Sequence, residues 1–178
     1  ITLNSNKILF LTILIMSTFV TVSANNWLGM WMGLEMNLMA FIPLISKSKD
    51  KKSSQAMMIY FLTQSIGSIT LLFSVMINSL VFTSPLLINE LTTMMIMIGI
   101  MIKVGAAPFH FWLPEMMANL TWVKCMILMT WQKIAPLTVM SNIIPNNWFL
   151  YMVVMLSAIT GGVGGLNQTS LRKILAYS

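Results

Sequence analysis

Charge is what this chain has least of. Only 8% of its 178 residues are Asp, Glu, Lys or Arg, and four of those are acidic. A soluble domain carries roughly 25%, because its surface has to face water. With so few polar groups a globule could not be covered, so the solvent must be largely lipid. Cys125 is the single cysteine, which excludes a disulfide framework or a cysteine metal cluster within the chain. One histidine and four carboxylates supply a conventional metal site poorly, and no cofactor-binding motif is present. The net charge of +6 does not indicate nucleic acid, since four of the ten basic residues, Lys47, Lys49, Lys51 and Lys52, fall in one short loop. A nucleic-acid surface needs a basic face in polar surroundings.

What is present is apolar: 57% hydrophobic residues, 19 of them methionine, with mean hydropathy +0.84. The sequence divides into about six runs that approach the roughly 20 residues needed to cross the hydrocarbon. They are Ile8–Ala24, Trp27–Ile45, Ala56–Val81, Leu91–Ala107, Trp122–Ile144 and Trp148–Leu166. The loops between are 46–52, 82–90 and 145–147, with a tail over 167–178. Lys7, the Lys47–Lys52 cluster, Arg172 and Lys173 fall on one side of such a bundle. The opposite loops contain no Lys or Arg. The positive-inside rule then places the N-terminus on the matrix or cytoplasmic side. Pro108 and Pro114 interrupt the fourth run, and proline breaks or kinks a helix by removing a donor and clashing with the preceding turn. Within a membrane such a break survives where protein buries it or a wet cavity lines it, which is where transporters place their sites.

Three charges lie inside apolar runs: Glu35, Lys103 and Lys133. At 1.5 Å per residue they sit roughly 12, 18 and 16 Å into their spans, near the midplane and beyond easy snorkelling. Unpaired, they would cost on the order of 10 kcal/mol together. They must therefore be paired, hydrated or partly neutral. Burial favours the neutral form of any ionisable group, and a neighbouring opposite charge favours the ionised one, so such residues can couple their proton affinities. That property suits a proton relay. A static ion pair that fixes helix packing would use the same residues. Lys124 lies two residues from the start of its span, within reach of the interface. Glu115 is either a path residue or an exposed loop carboxylate, and His110 either a shuttle or a hydrogen-bonding partner for the broken backbone. Gly161-Gly162-Val163-Gly164-Gly165 suits close helix packing; the Lys-Ser/Thr that a phosphate loop requires does not follow it.

The stretch Lys103-Val104-Gly105-Ala106-Ala107-Pro108-Phe109-His110-Phe111-Trp112-Leu113-Pro114-Glu115 resembles the signature of the antiporter-like subunits of respiratory complex I and their sodium/proton antiporter relatives. Trp131-Gln132-Lys133-Ile134-Ala135-Pro136, Gly33-Leu34-Glu35-Met36-Asn37 and the tail from Gly165 to Ser178 extend the likeness over essentially the whole chain, towards the invertebrate mitochondrial members of the family. The resemblance implies an all-α membrane protein: the first five-helix unit of an inverted-repeat fold and the first helix of the next over 1–166, then a matrix-side linker over 167–178. It implies a coupled Glu35–Lys103 pair with Lys133 as the next relay site. A multi-pass place in the mitochondrial inner membrane follows, beside other membrane-arm subunits and lipid. NADH, FMN, iron–sulfur clusters and ubiquinone are then expected in partner subunits, and no cofactor in this chain. On this reading the chain is a fragment that ends where the second unit begins. Two alternatives stay open: a stand-alone cation/proton antiporter subunit, and a membrane scaffold with static ion pairs.

Overall fold

The computed structural model describes the backbone of residues 5–46, 50–80, 85–143 and 148–178, and the side chains of these except 80 and 85–89. Lys47, Lys49, the first part of the loop expected over 82–90 and the turn expected over 145–147 lie outside the described residues. All regular elements among the described residues are helices: α1 (Ser5–Ser23), α2 (Trp27–Ile45), α3 (Lys51–Leu80), α4 (Pro85–Val104), α5 (Trp112–Asn119), α6 (Trp122–Ser141), α7 (Trp148–Leu166) and α8 (Leu171–Tyr177). By length and composition α1, α2, α3 up to Ser79, and α7 could each cross a membrane. The other two long helices, α4 and α6, have 20 residues each, or about 30 Å at 1.5 Å per residue.

The interior is mainly apolar, but it also holds polar residues while many large apolar side chains face outward. The interior takes Ser17, Thr18, Thr21, Asn37, Gln64, Ser68, Ser74 and Lys103, while Phe19, Phe73, Met39, Met155 and Ile159 face outward. On α3 the inward residues Tyr60, Gln64, Ser68 and Ser74 recur at helical spacing and form the more polar face. This pattern fits lipid as the solvent, because apolar surface then carries no penalty outside. Small polar residues can be buried because their hydroxyls bond within their own helix: Ser17 Oγ to Leu14 O and Thr21 Oγ1 to Thr18 O, both at 2.7 Å. They let α1 approach α2 closely enough that a Cβ on Gly33 would strike Thr21.

Helices α3 and α4 cross at a pair of glycines. A Cβ on Gly67 would lie 3.1 Å from Gly99 O, and one on Gly99 would lie 3.1 Å from Gly67 O. That close approach sets Lys103, one turn beyond Gly99, against α3. The largest departures from expectation are two helix starts and an added helix. α3 begins at Lys51, taking in the end of the basic loop, and α4 begins at Pro85, a residue that suits a first helical turn since its missing N–H would have no partner there. The tail read as a linker contains α8, which packs on α5 and α7. Tyr177 of α8 rests on the glycine run of α7, where a Cβ on Gly164 would come within 2.5 Å of its ring.

Candidate functional site

The site is built at a helix interruption. α4 stops at Val104, and Gly105 follows at φ +78°, a left-handed conformation that glycine adopts without a Cβ penalty. The N–H groups of Gly105 and Ala106 both donate to Met101 O, at 2.9 and 3.1 Å, closing the helix end. Gln64 Nε2 on α3 donates to Lys103 O at 3.2 Å, satisfying another carbonyl that the interruption leaves without a helical donor. Pro108 lies within the interruption. Pro114 does not: it occupies the first turn of α5, where a missing N–H costs no helical bond.

Lys103, 6% exposed, extends from this helix end into the bundle. Its Nζ lies 3.7 Å from Glu35 Oε1 on α2, with the two side chains 2% and 23% exposed. At an effective dielectric near 20 the attraction is worth roughly 4–5 kcal/mol. That is comparable to the desolvation of the two groups and no larger, so the pair balances its own burial without adding much stability. The separation is too long for a good direct hydrogen bond, and Glu35 Oε1 is buried with no hydrogen-bond partner among the described residues.

Lys133 on α6 completes the group without joining the ion pair. It is half-buried and makes no ion pair among the described residues. It lines a small cavity of about 20 Å³ together with Lys103. The polar walls of that cavity are Asn37, Tyr60, Gln64 and Gln132, which connect α2, α3 and α6. Tyr60 OH donates to Gln132 Oε1 at 3.1 Å, and Gln132 Nε2 donates to Asn37 Oδ1 at 3.0 Å. On its other side Lys133 borders an open cleft of about 710 Å³ between the interruption and the α7–α8 face, with His110 in the same wall. Lys133 thus borders both the cavity it shares with Lys103 and the open cleft, while Lys103 faces Glu35.

The remaining residues singled out in the sequence separate from this centre. His110 stacks against Phe111 with centroids 4.2 Å apart and meets Tyr177 at 6.0 Å; its Nδ1 is buried with no hydrogen-bond partner among the described residues. Glu115 is exposed in the first turn of α5, where the helix dipole favours a carboxylate. Lys124 reaches back to the end of α2, its Nζ donating to Ile45 O at 2.7 Å. Arg172, from α8, donates to Leu120 O at 2.7 Å and Ala118 O at 3.4 Å and lies 5.4 Å over the Trp122 ring. Lys51, Lys52, Lys124 and Arg172 line one pocket at a single end of the bundle.

The sequence reading missed Asn37, Tyr60, Gln64 and Gln132. A signal existed, since Tyr60 and Gln64 share a face of α3 at a spacing of four and Asn37 and Gln132 lie two residues and one from a charge inside an apolar run, Glu35 and Lys133.

Residues 24–178 match the family model described as NADH:quinone oxidoreductase/Mrp antiporter, TM. The chain is 48% identical to "NADH-ubiquinone oxidoreductase chain 2" of Locusta migratoria over 98% of its length, and 48% identical to the protein of that name from Anopheles gambiae, also over 98%. It spans about half the length of these curated relatives, 51% in each case. Among solved structures, a chain of respiratory complex I from Thermus thermophilus with bound aureothin has the same fold, at TM-score 0.89 and 21% identity over 98% of this chain and 42% of that one. The chain belongs to the NADH:quinone oxidoreductase/Mrp antiporter transmembrane family.

Proposed function

We propose that this chain serves as part of a proton-translocating subunit in the membrane arm of NADH:ubiquinone oxidoreductase, in the mitochondrial inner membrane with its N-terminus on the matrix side. The observation that carries the reading is the buried Glu35–Lys103 pair, 3.7 Å apart at a helix interruption, with Lys133 across a shared cavity. Such a pair is poised: a change of charge on either partner alters the proton affinity of the other. Protonation of Glu35 would release Lys103 from its counter-charge and favour passing the lysine's proton towards Lys133. No redox step falls to these residues. Electron transfer from NADH through FMN and iron–sulfur clusters to ubiquinone belongs, on this reading, to partner subunits. The identity to relatives named for that complex and the gathering of the described basic side chains Lys51, Lys52, Lys124 and Arg172 at one end of the bundle support the reading.

The test is proton pumping per NADH oxidised in membranes carrying the assembled complex with the full-length subunit and Lys103→Ala. A reduced ratio in the complex that assembles is expected. An unchanged ratio would leave the pair as a packing device and overturn the relay. The family also includes Mrp antiporters, and sodium-dependent proton exchange without NADH would identify that mode instead.

A further inference from the structure

The chain Tyr60–Gln132–Asn37 is not accounted for by a relay made of Glu35, Lys103 and Lys133 alone. The Tyr60 hydroxyl donates to the Gln132 carbonyl oxygen at 3.1 Å, and the Gln132 amide nitrogen donates to Asn37 Oδ1 at 3.0 Å. Tyr60 and Asn37 are each 3% exposed, so both partners that hold the Gln132 amide are themselves buried. Side-chain amides do not take up and release protons near neutral pH, so this chain is no proton wire. Its geometry suits a different task. All three residues wall the cavity of about 20 Å³ that Lys103 and Lys133 share. A cavity of that volume admits one water, provided polar partners are present.

Those partners are available. With one amide hydrogen directed to Asn37, Gln132 keeps a second, and Asn37 keeps both of its own. Pro136, one turn further along α6 and in the same wall, has no N–H to give to the Gln132 backbone carbonyl, which leaves that oxygen as an acceptor beside the cavity. Trp112, also in the wall, has its indole N–H buried without an acceptor among the described residues. Buried donors of this kind are ordinarily satisfied by ordered water. We infer that Gln132 is a positioning residue, its amide clamped between Tyr60 and Asn37 so as to hold a water that bridges Lys103 and Lys133. The inference rests on the relay reading above.

The experiment compares Gln132→Met with Lys103→Ala in the assembled complex, using the full-length subunit. Protons pumped per NADH and high-resolution density for ordered water between the two lysines are read from the same preparations. Methionine fills a similar volume and removes the amide. With Gln132→Met, the ratio should fall by at least a quarter at equal assembly, and the bridging water density should disappear while both lysines stay in place. A ratio that Lys103→Ala lowers and Gln132→Met leaves unchanged would overturn the positioning role while the relay stands. A ratio unchanged in Lys103→Ala would remove the relay and this role with it. Should Gln132→Met fail to assemble, Tyr60→Phe, which deletes one hydroxyl, takes its place: a lowered ratio supports the clamp, and an unchanged one overturns it.

Discussion

Lys103 and Lys124 are both lysines within largely apolar helices, yet their ammonium groups meet different kinds of partner. Lys103, at the centre of the bundle, faces a carboxylate on another helix, Glu35. Lys124, at the end where the basic residues gather, donates to the backbone carbonyl of Ile45, and Arg172 in the same pocket donates to Leu120 and Ala118 carbonyls. The difference follows from helix geometry. Lys103 leaves the end of α4 and meets α2 in mid-helix, where the carbonyls are already bonded within that helix, so the buried cation must find a side chain there, Glu35. At a helix C-terminus up to four carbonyls lack a partner and the dipole presents negative charge, so a cation there completes the helix. A side-chain partner can change its charge, and a carbonyl cannot. On the proposed relay the centre can therefore switch through Glu35, whereas the carbonyl contacts of Lys124 and Arg172 at the end, in a pocket that Asp50 also lines, stay the same.

Replacing Glu35 should produce the largest effect. Glu35→Leu leaves the Lys103 ammonium buried without its carboxylate, which costs about 3–5 kcal/mol when one member of a buried pair is removed. Native electrophoresis should show a severe loss of assembled complex. The double replacement Glu35→Leu with Lys103→Met removes both charges, and assembly should recover while protons pumped per NADH stay low. Normal assembly in the single variant would break the comparison, because it would mean that the central lysine does not depend on its partner. Arg172→Ala comes next. It deletes two carbonyl contacts and the stacking over Trp122, worth about 2–3 kcal/mol together. The complex should lose thermal stability, and Arg172→Lys should recover part of it. The pumping ratio of whatever assembles should match the unmodified complex, and a lower ratio would move the end cations into the relay.

Much of this arrangement is legible in the sequence, for reasons that also mark the limit. α2 and α7 begin and end where their apolar runs do, at Trp27–Ile45 and Trp148–Leu166, because lipid-facing residues permit a continuous run and polar residues close it. The α3 start was missed because Lys51 and Lys52 are helical residues beyond the apolar run, and hydropathy reports the solvent, not the backbone. α8 has seven residues, too few to establish a period. Charges inside apolar runs stand out by their cost, so Glu35, Lys103 and Lys133 were visible. Neutral polar residues do not stand out, since a buried serine can bond within its own helix as easily as across to another. Whether Gln132 faces Asn37, 95 residues away in sequence, depends on how α6 is rotated against α2, and no local pattern encodes that rotation. The interruption was expected at both Pro108 and Pro114. Only the first lies in it, because a proline in a first helical turn looks the same in sequence as one that ends a helix.

The smallest expected effect gives the sharpest test of fixed against switchable charge. Lys124 lies in the first turn of α6, and its Nζ is 2.7 Å from Ile45 O, the last carbonyl of α2. Lys124→Met keeps most of the stem's apolar contact and removes the ammonium. The loss includes a charge-assisted hydrogen bond at a partly exposed helix end, worth about 1 kcal/mol when water can replace it. The midpoint of thermal inactivation of the assembled complex should therefore fall by a few degrees at most. The carbonyl cannot change its protonation, so losing its partner should not alter how many protons move. Pumping per NADH should equal that of the unmodified complex in the same membranes where Lys103→Ala lowers it. If Lys124→Met lowered the ratio while leaving stability untouched, the cations at the end would be shaping proton entry, and the division between a structural end and a functional centre would fail.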